Sequence, residues 1–175
     1  CRYLEVRLET GPAPVAASLE LLDTFYPLLP AGPFRASDPE LERLWEIGVR
    51  TQQACAHETF EDCPYYEQLQ YAGDTQMQCL YTYLMNGNTA LPLQAIRAFH
   101  YSRIADGLTQ SRYPNRPTQV IPFWSLHYVF MLWDWYEYTG EVDSIRDEIY
   151  GALEGVRWFL RRQDEDQLIG ALSYW

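Results

Sequence analysis

A mainly α-helical domain built in two layers, as in an α/α toroid, is what this sequence predicts, with the end of a β-domain ahead of it. Three observations carry the prediction. From residue 35 onward apolar residues recur at helical spacing between capping and glycine signals. One helix marked in this way is apolar almost all round and another on one side only, which separates an inner layer from an outer one. Before residue 35 the pattern switches to alternation punctuated by proline and glycine. The boundaries that follow are 1–34 for the last strands of the preceding β-domain and 35–175 for the helical domain.

In chain order, Tyr3, Glu5 and Arg7 interleave with Leu4, Val6 and Leu8 before Gly11-Pro12. A second β-like run from Val15 to Tyr26 sets Leu19, Leu21 and Asp23 against Glu20, Leu22 and Thr24, and Pro27, Pro30, Gly32 and Pro33 then break the chain. Two or three strands do not form a stable domain alone, so the rest of that domain is expected elsewhere. Ser37-Asp38-Pro39-Glu40 reads as a capping box, and Leu41, Leu44, Trp45, Gly48 and Gln52 share one face behind it. A second helix is expected from about Glu67 or Gly73 to Met85, ending at Asn86-Gly87, and a third from Ala90 to Ile104. After a polar loop from Leu108 to Val120, Pro122 opens a fourth helix that reaches Thr139-Gly140. It carries Phe123, Leu126, Val129, Phe130, Leu132, Trp133, Trp135 and Tyr136 on nearly every face, so it is expected between other helices. The fifth runs from Val142 to about Gln163, with Val142, Ile145, Ile149, Leu153, Val156 and Leu160 as its apolar stripe. The plainer alternative is an open, solenoid-like helical array, although no short internal repeat is visible.

Composition narrows the partners. The 175 residues hold 24 Asp+Glu against 13 Lys+Arg, a net charge of −11, and all the cations are arginine. Such a chain lacks the basic stripe of a nucleic-acid binder and disfavours an anionic membrane surface. The longest apolar run, around Val129 to Trp135, is far short of the roughly 20 residues that span a bilayer. The 15% aromatic content makes sugar a reasonable partner, since pyranose C–H faces pack on flat rings. Cys1, Cys55, Cys63 and Cys79 form no CxxC pair, and three histidines offer no zinc-ligand spacing, so buried free thiols and no metal or cofactor are expected. The chain starts at Cys1 without a leader and stops abruptly at Ser173-Tyr174-Trp175, which reads as a piece of a longer protein of unassigned compartment.

The chemistry concentrates between His57 and Asp74. Glu58, Glu61, Asp62, Glu67 and Asp74 lie among four aromatics with no arginine or lysine in the window. Crowded, desolvated carboxylates raise one another's pKa, which is how enzymes keep a carboxylic acid protonated near neutral pH. Were the segment helical from Glu67, then Glu67, Tyr71 and Asp74 would share a face, with the two acids roughly 10 Å apart. The plainer readings are that Asp62 and Asp74 cap helices and that acids on a helix face are solvated.

The string Asp62-Cys63-Pro64, Glu67-Gln68-Leu69-Gln70-Tyr71, Gly73-Asp74 resembles the signature of bacterial α-L-rhamnosidases, inverting glycoside hydrolases of family 78. Phe34-Arg35-Ala36-Ser37-Asp38-Pro39, Asp106-Gly107-Leu108-Thr109-Gln110, Tyr113-Pro114, Val120 to Leu126 and Tyr138-Thr139-Gly140-Glu141 resemble further segments of that family. The resemblance implies a partial (α/α)6 toroid preceded by the last strands of a β-sandwich domain, and hydrolysis of terminal α-L-rhamnose from glycosides or polysaccharides. It implies that Glu67 is the general acid, that Asp62 and Asp74 hold the sugar hydroxyls and tune the acid, and that Tyr71 packs on the sugar. Trp124, His57 and Tyr66 are candidates for the pocket wall, with core packing and a hydrogen-bonded loop histidine as the alternatives for Trp124 and His57. Tyr66 is a departure, because many members carry arginine just before the acid. The second carboxylate of an inverting pair is expected beyond Trp175. The chain then covers about half a catalytic domain, inactive alone and exposing apolar helix faces. Another α/α-toroid sugar hydrolase or lyase, or a non-catalytic sugar-binding domain, are the competing readings.

Overall fold

The computed structural model describes residues 4–13, 16–166 and 169. Cys1, Tyr3, Val15 and the chain end at Ser173-Tyr174-Trp175 lie outside them. Among the described residues five α-helices follow one another: α1 (Pro39–Ala54), α2 (Ala72–Asn86), α3 (Ala90–Tyr101), α4 (Pro122–Thr139) and α5 (Arg146–Leu160). The most extensive packing joins α2 to α4, while α3 leans on both and on α5. Thus α2 and α4 lie side by side, with α3 against both, α5 against α4 and α3, and α1 against α2. None of these helices is long and apolar enough to cross a membrane.

Local chemistry sets the helix ends. The α1 cap is Asp38, one residue later than the expected Ser37 capping box. Its side chain accepts from the Glu40 amide at 2.9 Å, and Pro39 follows in the first turn. The pre-proline position forces Asp38 into extended backbone, which suits a cap and excludes an earlier helical start. α2 and α4 end on Gly87 and Gly140, both in the left-handed conformation, as Asn86-Gly87 and Thr139-Gly140 predict. α3 stops before the expected Ile104. There the Ser102 hydroxyl donates to the Phe99 carbonyl and the Arg103 guanidinium to that of His100, which satisfies the last turn with side chains.

Three expectations need correction. Residues 4–13 and 16–34 form no strand, because a strand needs a partner ladder and the described residues supply none. Instead the Tyr26 and Ala31 amides donate to the Ala56 and Met85 carbonyls, and Leu28 is fully buried. Helix α4 is covered by α2, α3 and α5, yet Phe123, Phe130, Trp133 and Tyr136 remain exposed, so it is not enclosed on every side. In α5 the buried face holds Glu148, Ala152, Gly155, Trp158 and Phe159, whereas Leu153 and Leu160 of the expected stripe are exposed. The rotation follows from Gly151 and Gly155, which let the loop at Arg103 and Gly107 approach the helix closely. A short 3-10 turn, Asp143–Ile145, precedes it where the sequence suggests continuous helix.

The core joins these elements: Ile96 and Phe99 of α3, Tyr128 and Met131 of α4, and Phe60 from the loop between α1 and α2. That loop is the segment that carries the carboxylates.

Candidate active site

The segment from Ala56 to Tyr71 is a folded loop rather than the start of α2, so the helical reading from Glu67 fails and the start near Gly73 stands. Gln68 takes a positive φ of 53°, which no helix accommodates. Asp62 ties the loop's two ends together. Its amide donates to the Leu69 carbonyl at 3.0 Å, and its Oδ1 accepts from the Leu69 amide at 2.9 Å. Asp62 therefore caps no helix. It holds a loop that turns Glu67 back over the start of α2.

Buried glutamines anchor this loop, and they are the feature the residue patterns did not reveal. Gln70, 2% exposed, accepts from the Phe60 amide and donates to the Tyr113 carbonyl. Gln78 donates to the Glu61 carbonyl, and Gln52 of α1 donates to the Gln78 carbonyl and the Thr82 hydroxyl. Each satisfies backbone groups that would otherwise be buried without partners.

The result is a cavity of about 420 Å³ at the N-terminal end of α2, within the roughly 300–1,000 Å³ of small-molecule sites. Asp62, Glu67, Tyr71 and Asp74 form its acidic side. Trp124 and His127 of α4, with Ile121 and Phe123, form the apolar wall. A larger apolar groove of about 980 Å³ continues from Asp74 along α1 and α2, past Leu44, Trp45, Met77 and Tyr81. Two predicted site residues are not brought in. Tyr66 is 78% exposed and stacks edge-on against Tyr65. His57 is hydrogen-bonded to Glu61 at 3.0 Å, the loop-histidine alternative.

Two residues that line the site or touch its acids were missed. His127 follows Trp124 by one helical turn, with ring centroids 5.1 Å apart, so i, i+3 spacing was the available signal. Arg112 comes from the long loop before α4, and its Nη1 donates to the Tyr71 hydroxyl at 2.5 Å. The same nitrogen lies 4.0 Å from Glu67 Oε2. The window read as lacking a cation thus receives one from elsewhere in the fold.

Electrostatics follow from burial. Asp74 is held above the usual carboxylate range, first by burial and then by the charges of Asp62 and Glu67, against its own amide and His127. Burial pushes His127 down, with Asp74 opposing. Tyr71 is pushed up by burial and by its hydrogen bond to Glu67, with Arg112 pulling the other way. Cys55 is buried and free, its thiol pushed up to about 11 by burial, while Cys79 is buried and Cys63 half-buried, both free. Among the described residues no cluster of three His, Cys, Asp or Glu could hold a metal ion.

One consequence is testable in the folded protein. The folded state holds the Asp74 proton more tightly than the unfolded chain, so this group's contribution falls as pH rises from 3.8 through the folded value. Asp74→Asn, which resembles the protonated acid, is therefore expected to melt above wild type at pH 7, with the gap closing toward pH 3. Thermal melts across that range check it, and a gap independent of pH would overturn the expectation.

Comparison with known proteins places the fold in a family. The sequence profile described as the bacterial alpha-L-rhamnosidase 6 hairpin glycosidase domain matches residues 30–174. The chain belongs to this family. Among solved structures, the GH78 family rhamnosidase of Bacillus sp. GL1 superposes with a TM-score of 0.79 at 26% identity, over 86% of this chain and 16% of that one. The rhamnosidase from Klebsiella oxytoca with rhamnose bound gives a TM-score of 0.76 at 22% identity, over 83% of this chain and 30% of that one. No curated protein matches the chain. The five helices are therefore part of a six-hairpin glycosidase toroid. As a rhamnosidase-family domain the chain spans less than a third of either solved relative, and its cavity sits where α2 and α4 begin.

Proposed function

We propose that the protein bearing this chain hydrolyses terminal α-L-rhamnose from glycosides or polysaccharides with inversion, Glu67 acting as general acid. One observation carries the reading: the fold gathers Asp62, Glu67, Tyr71 and Asp74 into one cavity faced by an indole, although the carboxylates come from a loop and a helix start. Family membership over residues 30–174 supports rhamnose as the sugar.

In this reading Trp124 packs on a sugar face while Asp62 and Asp74 accept hydrogen bonds from its hydroxyls. The protonated Glu67 carboxyl donates to the glycosidic oxygen, the anomeric C–O bond breaks, and its electron pair leaves with the aglycone as an alcohol. Water attacks the opposite face and gives its proton to a second carboxylate, roughly 6.5–9.5 Å from the acid in inverting enzymes. We assign that base to the remainder of the catalytic domain beyond residue 175. The same remainder would cover the apolar groove along α1 and α2.

The test is hydrolysis of p-nitrophenyl α-L-rhamnoside by the protein expressed from its complete reading frame, with the released anomer followed by NMR. The expected result is β-L-rhamnose as first product. Initial release of the α-anomer overturns inversion. Hydrolysis of glucosides or unsaturated uronides in place of rhamnosides overturns the sugar assignment, and saturable binding without product release overturns the enzyme reading.

A further inference from the structure

Arg112 stands apart from every motif in the sequence, yet the fold delivers it to the acidic side of the cavity with unusual care. Its strand-like backbone forms an antiparallel bridge with Tyr71. On either side, the Ala72 amide donates to the Ser111 carbonyl at 2.9 Å and the Tyr113 amide to the Gln70 carbonyl at 3.1 Å. The first of these satisfies the leading N–H of α2, a group that no side chain caps. One loop therefore docks the helix start and inserts a guanidinium beside it, with a side chain only 20% exposed.

The hydrogen-bond polarity is fixed by chemistry. Arginine has donors and no acceptor, so the Tyr71 oxygen must accept from Nη1. The guanidinium carbon also lies 5.4 Å from the Tyr71 ring centroid, which holds the ring as well as the hydroxyl. With its oxygen engaged, Tyr71 has its own proton left to donate, and the Arg112 nitrogen that engages it also lies 4.0 Å from Glu67 Oε2, which sets that carboxylate beside the hydroxyl. The arrangement suits a relay in which Arg112 donates to Tyr71 and Tyr71 in turn donates to Glu67.

We propose that Arg112 is a positioning residue for the acid, acting through the Tyr71 hydroxyl to pin one oxygen of Glu67 and leave the other to carry the transferable proton. The assignment rests on Glu67 being the general acid. It gives this chain, from a distant backbone segment, a cation beside the acid, whereas the residue that precedes Glu67 in sequence is the exposed Tyr66.

The test is a double-mutant cycle in the complete protein, with alkyl and activated aryl α-L-rhamnosides as substrates. Arg112→Gln and Tyr71→Phe are each expected to lower kcat on the alkyl substrate by about 10- to 100-fold, the span of one charge-assisted hydrogen bond. Both should cost less on the aryl substrate, which needs less proton donation. Adding Arg112→Gln to Tyr71→Phe should cost no more than about threefold further, because the relay is already broken. Arg112→Lys, which keeps a donor and most of the stem, should recover part of the loss. An equal cost of Arg112→Gln in both Tyr71 backgrounds, or on both substrates, would overturn the proposal and leave Arg112 a loop anchor. Glu67→Gln measured alongside separates the two readings: if it spares alkyl turnover, the acid assignment fails whatever the Arg112–Tyr71 coupling shows.

Discussion

Glu67→Gln in the complete protein is expected to lower turnover of alkyl α-L-rhamnosides by about 10²- to 10⁴-fold, the usual contribution of a positioned general acid. An alkoxide is a poor leaving group and needs the proton as the C–O bond breaks. A nitrophenolate leaves without much help, so loss on an activated aryl rhamnoside is expected to be far smaller. Glutamine keeps the volume and one carbonyl acceptor for the Tyr71 hydroxyl, so the cavity should survive the change. The half-exposed Glu67 side chain carries little of the fold, which makes misfolding a poor explanation for a substrate-selective loss. Asp62 is a useful contrast, because its carboxylate closes the loop through the Leu69 amide. Asp62→Ala, which removes that acceptor, should weaken both substrates together. Steady-state rates on the two substrates decide the matter, and equal losses for Glu67→Gln would remove it from the acid role.

How much of this site was legible depended on whether its parts are neighbours in sequence. Asp62-Cys63-Pro64, Glu67, Tyr71 and Gly73-Asp74 fall within one short stretch, so their types and spacing could be read directly. The shape that unites them could not be. Helical periodicity placed Glu67, Tyr71 and Asp74 on one face, whereas the structure turns the chain at Gln68 and starts the helix at Ala72. Nothing in a hydrophobic pattern announces a loop closed by an aspartate onto a backbone amide seven residues on. Arg112 lay further out of reach, since it arrives by main-chain pairing with a residue 41 positions away. His127 was reachable, since it follows Trp124 by one helical turn.

The fold divides along the same line. Helix ends marked by Pro122, Gly87 and Gly140 fell where local chemistry put them, because caps depend on a few adjacent residues. The buried face of α5 did not, because it is set by glycines that admit a neighbouring loop rather than by where leucines recur. Alternation in the first 34 residues predicted strands, but pairing is a property of two segments and one alone does not determine it. Net acidity and the absence of lysine said nothing about where the one structurally decisive cation would go.

Gly73→Ala is the smallest change expected to dismantle the site. A β-carbon there would lie 1.6 Å from Cζ3 of Trp124, 2.2 Å from Cε3 and 2.5 Å from Cη2, far inside van der Waals contact with the indole edge. The indole cannot yield by a small rotation, because three of its atoms are overlapped at once and His127 packs against it. Either Trp124 leaves the cavity wall or the first turn of α2 shifts, and that turn carries Asp74. Overpacking of this kind costs about 1–3 kcal/mol of stability, and a displacement near 1 Å at a reacting centre lowers rate about 10²-fold. The expected outcome is therefore a folded protein whose kcat/KM for rhamnosides falls by that order, with an altered tryptophan near-UV spectrum. The clash belongs to one pair, so in a Trp124→Ala background the added Gly73→Ala should cost much less in stability, alanine being the better helix former. Loss of kcat/KM below about threefold on Gly73→Ala would mean that the close approach of indole to helix is dispensable, and would remove Trp124 from the sugar-binding wall.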